Sequence, residues 1–554
     1  MGCRVVEHYR GVTLTFTRKP AWPLWGGVCV SAALLGLAAA MFATLWLAGR
    51  GQGTSGLQPG TVGQVLSFTF FQATVSTVLS LLLGLVLAWS LHHRGRFPGS
   101  RQFTALLSIS MVLPTLVVVL GLITVFGRQG WMNQSLGYLG SDGIGGAIYG
   151  LGGILTAHVF LNAPFSARLL LQRLDSIPVG KLKLGLSLGL SPWQRFRFIE
   201  WPSVASSLPG LCITVFLLCF TSFAIVLVLG GSPNLNTLEV AIYEAIKLEF
   251  DIRQAVALSL LQLGVCGILV VAASVFRSRD RSLSVLKYAL TWPVPAKLRL
   301  LQWGIILVLG LAYLLPLLAV VTDGLQADFG GLITKPVFLR ALATSIVLAL
   351  LSSILALAAA LLISFARHRL SSPLFTRQGA FTPALTSALT AGGTIFLAVP
   401  SLVMALGFFL IARQLASDVY TFAPVALLLA NVLMALPFAL VILYPAVHKA
   451  GLKHDRISIS LGLSGFARWR MVDFPAIRAE VGFVAALSFC FSFGDLGVIS
   501  VFGNRDFSTL PWVLYQTMGS YRTSEAAGVA LAMLAITCVV FFIVPRVFED
   551  RQSA

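Results

Sequence analysis

The stretch SLGLSPWQRFRFIEWP at residues 187–202 recurs as SLGLSGFARWRMVDFP at residues 460–475. The two copies lie 273 residues apart and align without a gap. Farther upstream, Pro164 in APFSARLLLQ and Pro437 in LPFALVILYP keep the same spacing. A repeat with one fixed offset indicates that two homologous halves are fused in this chain.

The composition of the 554-residue chain is that of a membrane protein. Hydrophobic residues make up 57% of the chain, charged residues make up 11%, and the mean hydropathy is +0.89. These values exclude a soluble domain of this size. A helix that crosses the hydrocarbon core needs roughly 20 apolar residues. Twelve stretches are predicted to span, six in each half: 24–48, 62–91, 102–126, 146–170, 208–229, 253–276, 301–322, 338–365, 384–412, 421–446, 479–501 and 525–548.

Lys and Arg are concentrated in alternate gaps between these spans and at both ends of the chain. Counted with the charged residues at the ends of adjoining spans, those segments hold 29 Lys and Arg against 9 Asp and Glu, whereas the opposite side holds 9 against 10. The positive-inside rule therefore predicts that both termini are cytoplasmic. The net charge of +19 follows from this topology and indicates no nucleic-acid partner.

Each half has six spans and begins on the same side of the membrane. We therefore predict an all-α polytopic protein of about 12 transmembrane helices, in two parallel halves at residues 1–290 and 291–554. No GxxxxGK[ST] motif occurs, and the histidines and cysteines show neither metal-ligand spacing nor a catalytic partner. The sequence thus predicts no enzyme activity, no catalytic or metal site and no cofactor in this chain.

The two repeated segments are predicted to form short amphipathic helices on the cytoplasmic side. In the first copy, Asp175 or Ser176 can cap a helix whose apolar residues recur every four positions, and Gly189 ends it. A single helix of this kind could simply lie at the lipid interface. Two copies related by a pseudo-twofold axis favour docking onto a two-fold symmetric partner.

The repeated segment resembles the cytoplasmic-loop signature of importer-type ABC transporter permeases. That signature is a Gly followed, after nine residues, by an aliphatic residue, any residue, a large apolar residue and Pro. It runs here from Gly189 to Pro202 and from Gly462 to Pro475. The resemblance implies that each loop forms a coupling helix that docks on a separate ATP-binding subunit, where ATP and Mg are bound.

The implied coupling loops are residues 175–203 and 448–478. The family's Glu-Ala-Ala triplet is absent, because residues 183–185 read Lys-Leu-Gly and residues 456–458 read Arg-Ile-Ser. Docking is therefore implied without that glutamate. The residues expected to couple to the ATPase are Ser187, Leu188, Gly189, Arg197, Glu200, Pro202, Ser460, Leu461, Gly462, Arg470, Asp473 and Pro475.

Within that family the chain most resembles the thiamine branch. Fused halves of about this length occur in the ferric-iron and thiamine branches, and residues 126–131, 197–202 and 492–522 are similar to the thiamine permeases. The resemblance implies a multi-pass permease subunit in the bacterial inner membrane. It would carry thiamine or its phosphate esters, together with an ATP-binding subunit dimer and an external substrate-binding protein.

Two alternatives to thiamine import remain open from the sequence. Ferric iron is the alternative substrate within the same family. An ion-gradient-driven secondary carrier is the alternative from another class, since such carriers are also built from two six-span repeats. The matched pair of cytoplasmic loops argues against the carrier, which does not need it.

Four residues are candidates for the substrate path. Asp495 is the only acidic residue predicted inside a span away from its ends, and Ser222 lies 273 residues earlier at the equivalent position. Because buried charges usually face a bundle interior or a water-filled path, we expect both to line a path for a cation. The alternative is that Asp495 pairs with a basic group or a backbone amide. Pro114 and Pro400 interrupt equivalent spans, which marks either a transport path or a simple kink.

Overall fold

The structure is a computed structural model that describes residues 4–9, 12–17, 22–50, 59–95, 97–138, 146–231, 235–275, 295–372, 374–375, 381–415, 419–504 and 506–549. Within these ranges, ten helices are long and apolar enough to cross a membrane, or up to twelve if each of two bent pairs counts as one span. This confirms the predicted all-helical polytopic fold. The one addition is an N-terminal hairpin of β1 (Arg4–Tyr9) and antiparallel β2 (Val12–Thr17), which the sequence analysis did not predict.

The helices of the first half follow the order expected from the hydropathy pattern. They are α1 (Trp22–Gly49), α2 (Pro59–Arg94), α3 (Ser100–Ile109), α4 (Thr115–Phe126), α5 (Trp131–Tyr138), α6 (Leu151–Asp175), α7 (Val179–Ser187), α8 (Pro192–Arg195), a π-helix (Phe196–Glu200), α9 (Trp201–Ala205), α10 (Leu208–Phe220), α11 (Ala224–Leu229), α12 (Leu238–Lys247) and α13 (Ile252–Val275).

The second half repeats this order with small differences. Its helices are α14 (Ala296–Leu325), α15 (Phe329–Ile333), α16 (Pro336–Ser371), α17 (Thr382–Thr394), a 3₁₀ turn (Ile395–Ala398), α18 (Ser401–Leu415), a 3₁₀ turn (Val419–Phe422), α19 (Ala423–Ser460), α20 (Gly465–Arg468), a π-helix (Trp469–Asp473), α21 (Phe474–Phe493), α22 (Gly497–Phe502), α23 (Leu510–Gly519) and α24 (Thr523–Phe548).

Four of the predicted spans are each divided into two helices in the described part of the chain. Pro114 separates α3 from α4, and Pro400 separates the 3₁₀ turn after α17 from α18, where the span bends by 103°. Proline lacks the amide hydrogen of a helical bond and clashes with the preceding turn, so each helix restarts after it. The α10–α11 break lies at Thr221–Phe223 and the α21–α22 break at Gly494–Leu496.

The first helix of each half packs against the other half. α1 lies along α16, α17 and α18, and α14 lies along α2 and α4. Small residues allow the close approach. A side chain at Gly27 would clash, because its Cβ would lie 2.4 Å from Ala366 Cβ. A side chain at Gly121 would clash as well, because its Cβ would lie 2.4 Å from the Pro316 carbonyl oxygen. Close helix contacts at small residues are the usual way in which membrane helices associate.

The coupling segments differ between the halves at one point. In the first half α6 ends at Asp175, and α7 begins after Pro178. In the second half α19 runs unbroken from the tenth predicted span to Ser460. The position equivalent to Pro178 is Gly451, which does not interrupt a helix in this way. The separate cytoplasmic helix predicted for the second copy is therefore the end of a 38-residue helix.

Candidate functional site

Both coupling helices end in the same glycine turn. Gly189 has φ +64° and Gly462 has φ +68°, values that residues with a side chain rarely adopt. In the glycine turn of the first repeat, the Leu190 amide donates to the Gly185 carbonyl (3.1 Å), and the Gly189 amide donates to the Leu186 carbonyl (3.0 Å). This is the double bond pattern of a Schellman C-cap. It explains why glycine is needed at this position in each repeat.

The tips of these turns lie at the protein surface. Leu188 is 66% exposed and Leu461 is 68% exposed, and no atom lies within 4 Å of a Cβ built on Gly189 or Gly462. Large exposed apolar side chains at a polar loop are typical of a protein–protein contact. The other exposed members of the predicted coupling set are Ser187, Arg197, Pro202, Ser460, Arg470 and Pro475.

The structure corrects the prediction for Glu200, which is fully buried and faces inward. Its carboxylate forms an ion pair with Arg195 Nε (2.5 Å), contacts His93 Nε2 (2.9 Å) and accepts a hydrogen bond from Trp89 Nε1 (3.1 Å). We call these four residues the first ion-pair cluster. The π-helix carries Glu200 onto the end of α2, so its carboxylate fixes the coupling segment and does not reach a partner.

Asp473 is likewise part of an internal network, which we call the second ion-pair cluster. Arg468 pairs with Asp473 (3.2 Å) and with Asp455 on α19 (2.5 Å), and Asp455 also contacts His368 on α16 (2.8 Å). Arg468 and Asp473 are the 273-residue counterparts of the arginine and the glutamate in the first cluster. The π-helix of the first half is therefore joined to α2 through buried Glu200, and that of the second half is joined to α19 through buried Arg468.

At a second site, which we call the junction, the helix breaks of the two halves meet. A Cβ on Gly494 would lie 3.3 Å from Pro114 Cα, and one on Gly497 would lie 2.3 Å from Ser401 Oγ. Ser401 directly follows Pro400. The break in the eleventh predicted span therefore contacts those in the third and the ninth. The structure thus brings Pro114, Pro400 and the segment with Asp495 together.

Asp495 lies two residues before the short helix α22 at this junction. Its carboxylate accepts hydrogen bonds from the backbone amides of Gly497 (3.1 Å) and Val498 (3.3 Å). This is the pairing with backbone amides that the sequence left open. The described residues show no ion pair to Asp495 and no hydrogen bond between it and Ser222, although Ser222 is buried at the equivalent break.

Glu239 on α12 is a junction residue that the sequence analysis missed. It is fully buried, and its Oε1 accepts a hydrogen bond from Gln262 Nε2 (2.9 Å). It lies near Asp495, because α12 packs against α22. Residues 230–252 lie between two predicted spans, where a loop outside the membrane is expected. The apolar residues around Glu239 could have indicated a buried helix, and they form α12.

The short helices α12 and α23 close the junction on the face opposite the coupling turns. Tyr243 on α12 and Tyr515 on α23 occupy equivalent positions, and their phenols lie side by side. Burial raises the pKa of Tyr243 to about 12, and the neighbouring phenol adds to the shift. The Tyr243 ring also packs against Phe223, with ring centres 5.3 Å apart. Phe223 follows Ser222, so the break of the fifth span lies beneath this tyrosine pair.

Known proteins are similar in sequence to this chain over almost its whole length. Residues 80–281 match the family of binding-protein-dependent transport system inner membrane components. The thiamine transport system permease protein ThiP of Brucella abortus (strain 2308) is 37% identical over 493 residues, which cover 89% of each chain. The corresponding ThiP of Escherichia coli (strain K12) is 34% identical over 542 residues, 96% of this chain and 98% of its own. This chain belongs to that permease family.

Membership confirms the resemblance drawn from the repeated loops. The protein is a membrane-spanning permease subunit of an ABC importer and a multi-pass inner membrane protein. Its family is one of transport permease subunits. The alternative of an ion-gradient-driven carrier is wrong, because the related permeases align with both halves of the chain. A third relative, ThiP of Haemophilus influenzae, is 34% identical over 97% of this chain and 98% of its own.

Proposed function

We propose that this permease forms the path by which thiamine or its phosphate esters enter the bacterial cytoplasm. The observation that carries the proposal is the near end-to-end similarity to permeases named for thiamine transport. The similarity extends over both coupling segments and the junction. Selection between thiamine and its phosphates would depend on the external binding protein that delivers the substrate.

The energy for import would come from a separate ATPase dimer that binds ATP and Mg. The exposed turns around Gly189 and Gly462 would each enter one ATPase subunit, with both chain termini on the same, cytoplasmic, side. Three features support this assignment: the two turns share one geometry, their apolar tips are exposed, and the basic residues concentrate on that side.

The substrate would cross at the junction, past Asp495, Ser222, Pro114 and Pro400. A carboxylate in a low-dielectric site attracts a cation more strongly than it would in water, and thiamine carries a fixed positive charge. Release on the far side requires that such contacts be few and weak.

Uptake of labelled thiamine tests the proposal. Cells that lack this chain should take up less labelled thiamine than cells that express it from a plasmid. Unchanged thiamine uptake together with a defect in iron acquisition would contradict the proposal and favour ferric iron.

A double substitution tests the coupling turns in the same cells. Gly189→Trp with Gly462→Trp places large side chains in the open space beside both turns. We expect this variant to insert in the membrane but to lose the ATPase on purification and to restore no uptake. The matched control, Gly189→Ala with Gly462→Ala, imposes the same backbone strain without the bulk and should keep the ATPase bound. Normal ATPase binding by the tryptophan variant would overturn the docking assignment.

A further inference from the structure

Glu239 and Gln262 form a buried polar pair with the features of a ligand-binding site. Its side chain is fully buried, and Gln262, which donates to Oε1, is also fully buried. Oε1 of Gln262 makes no hydrogen bond among the described residues, whereas the Glu239 carboxylate also lies near the Leu402 backbone amide. Buried polar atoms are nearly always paired, because an unpaired one costs about 1–3 kcal/mol. A fully buried acceptor oxygen without a donor, beside a buried carboxyl group, indicates a site for a positively charged or hydrogen-donating group.

The second carboxylate of this site comes from the other half of the chain. Asp495 uses its oxygens to cap α22 but has no basic partner among the described residues, and Glu239 has none either. The two carboxyl groups lie near each other at the junction, where α12 packs against α22. In a poorly solvated place, two neighbouring carboxylates destabilise one another unless a cation lies between them or a proton binds.

The tyrosine pair lies above these carboxylates. Tyr243 follows Glu239 by one helical turn on α12, so the two side chains lie on the same face of that helix. Tyr515 meets it from α23. Aromatic faces attract organic cations and are a common partner of carboxylates in their binding sites. The junction therefore combines negative charge with aromatic surface.

We propose that Glu239 and Asp495, one from each half, form a binding site at the junction for the positively charged ring of an organic cation, with Tyr243 and Tyr515 closing it on the outer side. The inference rests on the proposed function, since it assigns the charged ring of that substrate to these residues. Glu239 is then a specificity-determining residue that favours the cation over a neutral molecule of the same shape.

The test uses the complete importer, with its ATPase and binding protein, in proteoliposomes. Uptake is measured for labelled thiamine and for a neutral analogue in which the thiazolium ring is reduced. We expect Glu239→Gln to lower the preference for thiamine over the neutral analogue by roughly tenfold relative to the wild type, since a hydrogen-bonded charge contact is lost. Because the same binding protein serves both permeases, its own selectivity cancels in this ratio.

Glu244→Gln is the matched control. Glu244 lies on the same helix and is bonded to Asn236 (2.6 Å), and we expect its substitution to leave the preference unchanged. An unchanged preference in Glu239→Gln would overturn the inference while leaving thiamine import intact. Wild-type proteoliposomes that import no thiamine would instead overturn the proposed function.

A conservative variant separates binding from packing. Glu239→Asp keeps the charge and should retain most of the preference for the cation. If neither Glu239→Gln nor Glu239→Asp accumulates in the membrane, the carboxylate serves packing and the inference fails.

Discussion

Asp495 and Glu200 are carboxylates that the fold holds in different ways. Asp495 accepts hydrogen bonds from two backbone amides of α22, whereas Glu200 pairs with Arg195 and contacts His93. A side-chain oxygen without charge can still cap a helix, but an ion pair requires the charge. Substitutions that keep shape and remove charge therefore separate the two roles at the scale of single residues.

Asp495→Asn is expected to slow thiamine transport while leaving the permease inserted and the ATPase bound. The amide oxygen of asparagine can still cap α22, but the negative charge at the junction is lost. Uptake by proteoliposomes measures the effect, and ATPase co-purification measures assembly. The comparison variant is Asp495→Ala, which removes the cap as well and should also lower the amount of protein in the membrane. Normal transport by Asp495→Asn would show that the charge plays no part in the path.

At the scale of elements, the coupling segments are held by the two ion-pair clusters. The first cluster joins the π-helix after α8 to the end of α2, and the second joins the π-helix after α20 to α19 and α16. Under the proposed docking, movement of the ATPase would reach these membrane helices through the buried ion pairs. Breaking a buried pair is costly, because the remaining charge loses its partner.

Arg195→Met is expected to destabilise the permease by about 3 kcal/mol, because it leaves Glu200 buried without its main cation. The measurement is the thermal unfolding of the purified protein in detergent. Arg197→Met removes a neighbouring, exposed arginine and serves as the control, for which we expect almost no change in stability. Equal unfolding temperatures for the two variants would contradict a structural role of the first ion-pair cluster.

At the scale of the whole molecule, each half completes its packing with a helix from the other. α1 packs on α16, α17 and α18, and α14 packs on α2 and α4. The proposed division at residues 1–290 and 291–554 therefore separates two sequence repeats whose packing is interdependent. Neither half by itself would cover the surfaces that these exchanged helices bury.

We accordingly expect the segments 1–290 and 291–554 to accumulate poorly when each is expressed alone and to co-purify when expressed together. Affinity purification through a tag on one segment measures the association. A first segment shortened to residues 50–290 lacks α1 and should bring down much less of its partner. Normal accumulation of either segment alone would contradict the interdependence.

The sequence by itself determined the features that depend on local composition and on the repeat. Apolar stretches long enough for the membrane predicted the spans, the prolines at 114 and 400 predicted two of the breaks, and the fixed offset of 273 residues predicted paired coupling segments with glycine turns. Such features need only the residues of one segment, because the backbone in lipid must satisfy its hydrogen bonds within the helix. They could therefore be predicted without knowledge of neighbouring helices.

Only the tertiary structure decided where the charged groups of the site lie. The inward position of Glu200 depends on a π-helix and on α2, more than 100 residues away. The burial of Glu239 depends on Gln262 and on elements of the other half, and the exchange of α1 and α14 depends on close contact at small residues. Contacts between distant segments follow from how helices pack. A hydropathy pattern shows which residues prefer a nonpolar environment to water but not which helix covers them.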